Sequence, residues 1–454
     1  MTTAEIQSNG QVLMTPRRSA LLAGHDNTVD VLVRVQAPDT IVTERHQRPP
    51  MGIALVLDRS GSMAGRPLEE AKRCARFMVS RLTAADSVAV VQFDDTVNVL
   101  VEAAALSTLV TLDRIIEAIN SGGQTNLHGG WLAGAEQLAP FASMRSLQRV
   151  ILLSDGCANH GLTDSHAITR QCADLAAAGV TTSTYGLGKS FNEALMVAMA
   201  EAGRGNHYYG ASAEDLFEPF NQEFDLLSNL WMRNVVLEVH PVPGVKAVVM
   251  NAYASTGSEE SWRLPDIAAG SEAWAMIRLT VPSSLVTTDV RSLLAVAVRG
   301  AANDGEPAQF AGSLRGLAPL PPTAFSAVSE DELVARRGTE LEASALLMRC
   351  RVAAAADDWV TVEAVLADAL VRFGGNIWVS DIVQDMQELA HQKDRMLMMK
   401  EAMYSSSSLA RRITSSEETA DSSTDQQYAS FLRRKTSQGR AQFIRPEDLP
   451  GTRK

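Results

Sequence analysis

Three oxygen-bearing side chains follow one apolar run of the sequence at alternate positions. Residues 54–57 are all apolar, and Asp58, Ser60 and Ser62 come after them. Four consecutive apolar residues are typical of a strand that is buried on both faces of a parallel sheet. Such a strand delivers the residues at its end to the carboxyl edge of the sheet, where ligands bind. One carboxylate and two hydroxyls at this point form a site suited to Mg²⁺, Mn²⁺ or Ca²⁺.

Two further oxygen-bearing side chains occur far along the chain in comparable settings. Asp155 follows a second apolar strand pattern at 149–154, and Thr125 lies in a glycine-containing loop before a predicted helix. Because the carboxyl ends of parallel strands share one edge of a sheet, we expect both residues to meet the first three side chains there. Three of the five oxygen ligands would be neutral hydroxyls, so the ion could still accept an anionic oxygen from outside.

Strand and helix patterns alternate over residues 52–228, the region that contains all five side chains. After the opening strand, strand patterns cover 87–93, 97–101, 149–154, 180–185 and 207–209. Helix patterns cover 68–82, 109–119, 127–138, 165–178, 191–202 and 213–227. This alternation predicts an α/β domain with a doubly wound, mostly parallel sheet. The strand at 97–101 follows its predecessor after a short polar turn, so it is predicted to pair antiparallel at an edge.

The pattern changes near Trp231. Strand patterns without a helical period continue over 231–316, which predicts a β-sandwich. An earlier strand at 28–35 has valines at every second position and the same half-buried character. We infer that this strand, within an N-terminal segment at 1–48, pairs into the sandwich, so that the α/β domain is inserted in it. The alternative is a strand that decorates the α/β sheet.

Three helix patterns follow a proline-rich linker at 317–322 and predict a small helical bundle over 329–403. A capping box, Ser-Glu-Asp-Glu at 329–332, opens the first helix, and the third covers about 379–403. The remaining residues, 404–454, are rich in serine and threonine and then basic, with few apolar side chains. This composition predicts a disordered tail.

Charge and cysteine usage limit the classes of function. The 454-residue chain carries a formal net charge of −12, which disfavours binding to nucleic acid. No apolar run approaches the roughly 18 residues that span a bilayer, and the first residues do not resemble a signal peptide. The four cysteines have no metal-type spacing, so reduced thiols and a cytoplasmic protein are expected.

The motifs around these side chains resemble the metal-ion-dependent adhesion site of the von Willebrand factor A (VWA) family. In the order of that family, the chain contains Asp58-Arg-Ser60-Gly-Ser62, Gly122-Gly-Gln-Thr125-Asn and Leu153-Ser-Asp155-Gly. The first motif alone arises often by chance, whereas the three together, within an α/β segment of the right length, are specific. The resemblance covers about residues 52–228, with no departure at the metal positions.

The resemblance implies a role for each residue of the site. Ser60, Ser62 and Thr125 would contact the ion directly. Asp58 and Asp155 would carry the charge and act directly or through water. A partner's Asp or Glu would supply the last ligand, and the last helix of the domain would slide when a ligand binds.

The rest of the chain resembles bacterial VWA proteins that carry a β domain and C-terminal helices, and more distantly plant ones. This similarity is carried by the less specific motifs at 338–342, 358–359 and 400–407. Some plant relatives resemble ubiquitin ligases and contain a RING domain. The cysteine and histidine spacing of a RING is missing here, so that activity does not carry over.

Catalytic interpretations have less support. Cys157 near His160 and His166 could form a cysteine nucleophile, although small loop residues are the simpler explanation. A phosphatase interpretation of the first motif fails because a serine stands where its second acid is expected. The glycine loop at 122–125 lacks the lysine of a phosphate-binding loop.

We therefore predict a non-catalytic protein–protein interaction module that binds a partner's Asp or Glu through Mg²⁺ or another hard divalent ion. The alternative is a VWA subunit or substrate adaptor of a chelatase-like, AAA-ATPase-assisted assembly. A metal-dependent hydrolase is a third hypothesis, and the missing general base argues against it. The basic stretch at 433–445 could contact anionic partners or the acidic body of the protein, or could be solvated. The partner, the ion and the oligomeric state are left open.

Overall fold

The computed structural model describes residues 10–39, 48–109, 111–142, 147–155, 158–187, 192–210, 217–257, 260–286, 292–411 and 413–415. The chain folds into two compact units. Of the described residues, the first unit contains 10–39 and 229–415, and the second contains 48–228.

The strands of the described residues follow in chain order. They are β1 (Gln11–Pro16), β2 (Ala20–Leu22), β3 (Asn27–Gln36), β4 (Met51–Asp58), β5 (Ser87–Phe93), β6 (Val97–Ala105), β7 (Leu147–Ser154), β8 (Val180–Leu187), β9 (Arg204–Gly210), β10 (Leu230–Pro241), β11 (Lys246–Val249), β12 (Ser261–Arg263), β13 (Ile267–Ala268), β14 (Ser271–Val281), β15 (Ser292–Ala302), β16 (Pro307–Arg315), β17 (Ala318–Leu320) and β18 (Thr414–Ser415).

The α-helices in the same parts of the chain are α1 (Arg66–Arg81), α2 (Leu112–Glu117), α3 (Leu127–Leu138), α4 (Ser165–Ala177), α5 (Glu193–Ala202), α6 (Phe217–Ser228), α7 (Pro322–Ser326), α8 (Glu332–Ala355), α9 (Trp359–Phe373), α10 (Ile377–Gln392) and α11 (Arg395–Arg411). None of these helices is long and apolar enough to cross a membrane.

The second unit is built around a six-stranded sheet in the order β6-β5-β4-β7-β8-β9. The pairs β5–β4, β4–β7, β7–β8 and β8–β9 are parallel, and β6 pairs antiparallel with β5 at one edge. Every residue of β4 and β8 is buried, as expected for strands that are covered on both faces. The predicted mostly parallel α/β sheet is therefore confirmed.

Helix α3 approaches the sheet closely because two of its glycines have no side chain. A Cβ added to Gly130 would lie 2.3 Å from Cδ1 of Phe93 in β5. A Cβ added to Gly134 would lie 2.4 Å from Cγ2 of Val56 in β4. The glycines thus set the distance between α3 and the strands whose ends carry the candidate site.

A buried polar cluster fixes α6 to the sheet. Glu223 accepts hydrogen bonds from Oγ of Ser183 at 2.6 Å and from Nδ2 of Asn206 and the hydroxyl of Tyr208 at 2.8 Å. Nη1 of Arg149 lies 3.7 Å from the same carboxylate, and both charged side chains are fully buried. Loss of either partner would leave an uncompensated buried charge, so the cluster specifies how α6 packs. The first residues of the predicted last helix, 213–216, lie outside the described residues.

The first unit contains a β-sandwich of two antiparallel sheets. One has the order β1-β3-β14-β11, with β18 also on β14, and the other has the order β12-β10-β15-β16, with β13 on β10. Strand β3 pairs with β14 along ten residues, from Asn27 opposite Val281 to Gln36 opposite Glu272. A strand from before the α/β unit therefore belongs to the sandwich, and the α/β unit is inserted in it, as the alternating valines predict.

Part of the predicted linker at 317–322 is a strand. Residues Ala318–Leu320 form β17, which pairs parallel with β2 near the beginning of the chain. The prolines of this stretch restrict the backbone to extended conformations, which suit a short edge strand as well as a linker. The partner strand is almost 300 residues away, so local sequence could not distinguish the two.

The helical bundle contains four helices, α8–α11, and the prediction of three is wrong. Lys393 has a left-handed backbone with φ of 52° and ends α10. The carboxylate of Asp394 accepts a hydrogen bond from the backbone N–H of Leu397 at 3.1 Å and caps α11. The break lacks glycine and proline, so the usual sequence signals of a helix end are missing.

The predicted tail from residue 404 is wrong for its first residues. Helix α11 extends to Arg411, and β18 pairs with β14. Ser406 is buried, and its hydroxyl donates to the carbonyl of Ser344 in α8 at 3.1 Å. Serines can therefore face the core of the bundle here because another helix satisfies their hydroxyls. Residues 416–454 lie outside the described residues.

The first helix of the bundle begins later than the capping box predicts. Asp331, rather than Ser329, is the N-cap residue of α8, and its carboxylate accepts a hydrogen bond from N–H of Val334 at 3.0 Å. Both residues are good N-caps, so local sequence alone does not choose between them.

We expect Asp331→Ala to lower the free energy of unfolding of the first unit by about 1 kcal/mol, because the N–H of Val334 loses its acceptor. The urea midpoint of the full chain, followed by circular dichroism, measures this loss. Ser329→Ala is the matched control and should leave the midpoint unchanged, since Ser329 is exposed. Equal losses in the two variants would contradict the assignment of Asp331 as the cap.

Candidate metal site

The parallel pairing of β4 with β7 brings two acids to one edge of the sheet. Leu57 lies opposite Leu153, so the two strands end at the same level. Asp58 is the last residue of β4, and Ser154, the last residue of β7, donates a hydrogen bond to Oδ2 of Asp58 at 2.5 Å. Asp155 follows directly. The two strand-end acids thus meet where the sequence analysis places them.

The loop after β4 turns back over the strand end. The backbone N–H of Ser60 donates to Oδ1 of Asp58 at 2.8 Å, and Gly61–Met63 forms a short 3₁₀ turn. The Oγ atoms of Ser60 and Ser62 are 3.2 Å apart, and Ser62 donates to Oδ1 of Asp155 at 2.8 Å. Four of the five predicted residues are therefore connected by direct hydrogen bonds.

Thr125 joins this group through the backbone of its loop. The N–H of Gly61 donates to the carbonyl of Gly123 at 2.9 Å, which holds the glycine loop against the first loop. On its other side, N–H of Thr125 donates to Oδ1 of Asn159 at 2.9 Å, in the segment that follows β7. Thr125 is only 3% exposed, and among the described residues its hydroxyl has no hydrogen-bond partner. A hydroxyl without a partner among these residues is available as a ligand.

The spacing of these oxygen atoms suits a small divalent ion. Mg²⁺ binds oxygen ligands at 2.0–2.1 Å in octahedral geometry, which places neighbouring ligands about 2.9 Å apart. The separations of Ser62 Oγ from Asp155 Oδ1 and from Ser60 Oγ, 2.8 and 3.2 Å, lie around this value. The hydroxyl and carboxylate oxygens are hard ligands of the kind that Mg²⁺, Mn²⁺ and Ca²⁺ prefer. The residues present therefore fit such an ion.

The electrostatics of the site also favour a cation. Burial raises the pKa of Asp58 to about 6, although hydrogen bonds from Ser154 and Ser60 act in the opposite direction and the charge of Asp155 raises it further. Burial likewise raises the pKa of Asp155, against the hydrogen bond from Ser62. No lysine or arginine of the described chain pairs with either acid. Two buried carboxylates without a cation disfavour their own ionisation, and a metal ion would relieve this cost.

Sequence reasoning missed two residues that support the site. Ser154, which binds Asp58, ends the apolar run of β7, and a polar side chain at the end of a buried strand was a usable signal. Asn159, which holds the backbone of Thr125, lies in an irregular segment and had no signal. Both hydrogen bonds join segments more than 30 residues apart, so their partners are known only from the fold.

The structure adds no support for the catalytic interpretations. Cys157 lies outside the described residues, and the backbone N–H of His160 donates to the carbonyl of Thr125 at 3.3 Å. In the described ranges, no group of three or more His, Cys, Asp or Glu side chains could hold a metal ion. The candidate site differs from zinc sites and from carboxylate-rich sites because three of its five oxygen atoms belong to the hydroxyls of Ser60, Ser62 and Thr125.

The fold and the site together define a class of protein domain, namely a mostly parallel α/β sheet whose strand ends present acids and hydroxyls at one edge. Residues 52–223 match the family model for the von Willebrand factor type A domain. The chain thus contains a VWA domain, inserted in a β-sandwich and followed by C-terminal helices.

Relatives with similar sequences cover only part of the chain. An uncharacterized protein of Synechocystis sp. is 27% identical over 220 residues, which are 48% of this chain and 51% of that protein. The human inter-alpha-trypsin inhibitor heavy chain H3 is 26% identical over 215 residues, which are 45% of this chain and 24% of the relative. The chain therefore spans about half or less of the length of these relatives.

Two solved structures share the fold over most of the chain. A von Willebrand factor type A protein from Catenulispora acidiphila has a TM-score of 0.63 and 17% identity, covering 83% of this chain and 90% of that one. The ArnB paralog VWA2 from Sulfolobus acidocaldarius has a TM-score of 0.59 and 17% identity, covering 89% and 99%. At this identity the similarity establishes the fold alone.

We expect Asp58→Asn to stabilise the metal-free protein. A raised pKa in the folded state means that stability is lost as the pH rises through that value, so at about pH 8 the fold must hold a disfavoured buried carboxylate. The neutral amide can accept the N–H of Ser60 on its oxygen and donate its NH₂ to the hydroxyl of Ser154, so it should raise the free energy of unfolding on the order of 1–3 kcal/mol in EDTA, measured by urea denaturation.

The matched control for this measurement is Asp86→Asn. Asp86 is also fully buried, but Arg48 donates to both of its oxygens at 2.7 and 2.6 Å. Its substitution should lower the free energy of unfolding by about 3 kcal/mol, because a buried pair loses one partner. If Asp58→Asn lowered the free energy of unfolding as much as Asp86→Asn does, Asp58 could not be a buried carboxylate without a neutralising partner.

Proposed function

We propose that the VWA domain is a protein–protein interaction module that binds an Asp or Glu of a partner through a divalent metal ion. The observation that carries the proposal is the pair of buried strand-end acids, Asp58 and Asp155, which are joined through hydrogen bonds of Ser60 and Ser62 and have no cationic partner among the described residues. A VWA domain commonly mediates protein interactions, which agrees with this chemistry.

In this proposal Mg²⁺, Mn²⁺ or Ca²⁺ is held by five side chains from three loops. Ser60, Ser62 and Thr125 supply neutral oxygen ligands, and Asp58 and Asp155 supply the negative charge. The bound ion would act as a Lewis acid that attracts an anionic oxygen. Because three of the five ligands are neutral, the ion keeps an affinity for one further carboxylate.

Several described residues at the edge of the sheet around the site are exposed. Ser62 is exposed, and the glycine loop presents exposed residues at 121–124 beside the buried Thr125. Asn159 and His160 are exposed on the other side of Thr125. Small and polar residues around the site would let a protruding acidic side chain approach without steric hindrance.

A binding role agrees with the chemistry of the site better than catalysis. Both acids are directed toward hydroxyl groups of the same site, and Asp58 accepts hydrogen bonds at both of its oxygens. An acid with both oxygens occupied cannot act as a general base without first losing these contacts. We therefore propose a non-catalytic domain.

The acidic chain and its buried thiols support the remaining parts of the proposal. A net charge of −12 disfavours nucleic acid as the partner. Cys74, Cys172 and Cys350 are buried and unpaired, which suits a reducing compartment. We propose an acidic segment of another protein as the partner and the cytoplasm as the location.

Divalent metal should stabilise the folded protein. Mg²⁺ or Mn²⁺ at about 100 times its dissociation constant should add about 2.7 kcal/mol to the free energy of unfolding, because the folded state alone contains the site. Thermal unfolding in metal and in EDTA measures the difference. Thr125→Ala should reduce it, since a neutral ligand is lost. An unchanged melting temperature in saturating Mn²⁺ would exclude the site.

Capture of partner proteins should depend on both the metal and the strand-end acid. Wild-type protein should retain a partner from a cell lysate in Mg²⁺ and release it in EDTA, and Asp58→Ala should not retain it in either condition. Asp174→Ala, which removes an exposed acid on α4, is the matched control and should behave as wild type. Metal-independent capture that survives in Asp58→Ala would refute carboxylate binding through the ion.

A further inference from the structure

A third acid lies at the same edge of the sheet but has a different environment. Asp94 follows β5 directly, as Asp155 follows β7, and Phe93 lies opposite Asp58 in the pairing of β4 with β5. Three adjacent strands, β5, β4 and β7, therefore deliver an acid to one edge. The sequence motifs of the candidate site include Asp58 and Asp155 but not Asp94, so they do not assign a function to this third acid.

The carboxylate of Asp94 is occupied by four donors. Its Oδ1 accepts the backbone N–H and the hydroxyl of Thr96 at 2.8 and 2.7 Å. Its Oδ2 accepts N–H of Gly123 at 3.1 Å and lies 2.8 Å from Nη2 of Arg59. Asp94 is only 3% exposed. An acid whose charge is neutralised by arginine and whose carboxylate already accepts four donors is not available as a metal ligand.

These contacts join the two loops that carry the predicted ligands. Arg59 lies between Asp58 and Ser60, and its carbonyl accepts N–H of Gly122 at 2.6 Å. The backbone carbonyl of Asp94 accepts N–H of Asn126 at 2.8 Å. Asp94 therefore holds the glycine loop on both sides of Thr125, at residue 123 through its side chain and at residue 126 through its backbone.

One glycine of this loop is required by the same contact. A Cβ added to Gly122 would lie 2.0 Å from Oδ2 of Asp94, which no side chain could tolerate without displacing the carboxylate. The close approach of the loop to Asp94 thus explains why residue 122 lacks a side chain.

We infer that Asp94 is a positioning residue of the metal site, which places the hydroxyl of Thr125 relative to Ser60 and Ser62 without contacting the ion. The inference rests on the proposed function. Its consequence is that the site needs an acid that never touches the metal, in addition to the two that supply its charge. Second-layer contacts of this kind typically change metal affinity by about 10- to 100-fold.

The first test is the affinity of the full-length protein for Mn²⁺, measured by titration calorimetry. Asp94→Asn should weaken binding about 10- to 100-fold, because an amide cannot accept donors at both of its terminal atoms. Asp174→Asn removes the same charge from an exposed residue of α4, whose side chain forms no hydrogen bond in the described structure, and should change affinity less than about twofold. Equal affinity of Asp94→Asn and wild type would overturn the inference alone, and a wild-type protein that binds no Mn²⁺ would overturn the proposed function with it.

A double-mutant cycle distinguishes positioning from general destabilisation. If Asp94 acts by placing Thr125, then Asp94→Asn should cost little further affinity once Thr125→Ala is present. Losses that multiply in the double variant would overturn the inference. Gly122→Ala keeps the charge of Asp94 but displaces its carboxylate, so it should weaken Mn²⁺ binding in the same direction as Asp94→Asn.

A measurement on metal-free protein completes the test. In Asp94→Asn, hydrogen exchange of the peptide that covers 120–126 should accelerate, because the N–H of Gly123 loses its acceptor. The peptide that contains α4 should exchange as in wild type. Unchanged exchange at 120–126 would overturn the placement of the loop by Asp94.

Discussion

The register of β4 against β7 is the constraint on which the candidate site depends. The two strands end at one level, which lets Ser154 bind Asp58 and places Asp155 beside them. A slip of one residue would turn every side chain of a strand to the opposite face. Both strands are almost entirely buried, so such a slip is opposed by their packing against the helices on both faces. The hydrophobic core thus holds the acids in place.

The two acids of the candidate site differ from the other buried acids of the same unit in having no arginine that neutralises their charge. Three of those acids have an arginine within 4 Å, in the pairs Asp86 with Arg48, Asp94 with Arg59 and Glu223 with Arg149. Asp58 and Asp155 have hydroxyl groups instead. Hydroxyls satisfy hydrogen bonds but supply no positive charge, so these two carboxylates retain the demand for a cation that the other three have lost.

Elements whose signals are local were predictable, and elements that depend on distant partners were not. The alternating valines of β3 and the apolar runs of β4 and β7 predicted the inserted α/β fold, because periodicity reports burial directly. The end of α10 at Lys393 and the strand at Ala318–Leu320 were missed. The helix end requires a left-handed backbone at a lysine, which seldom adopts that conformation. The strand requires pairing with β2, near the beginning of the chain.

The sequence by itself predicted the five residues of the candidate site, because strand-end acids and loop hydroxyls follow from the order of residues along each segment. Three acids, Asp58, Asp94 and Asp155, end adjacent strands, and the sequence motifs include Asp58 and Asp155 but say nothing of Asp94. Only the tertiary structure showed how Asp94 is neutralised, by placing the guanidinium of Arg59 and the N–H of Gly123 against its carboxylate. The physical reason is that the charge state and the hydrogen-bond partners of a buried carboxylate depend on neighbours from other segments, which the order of residues does not specify.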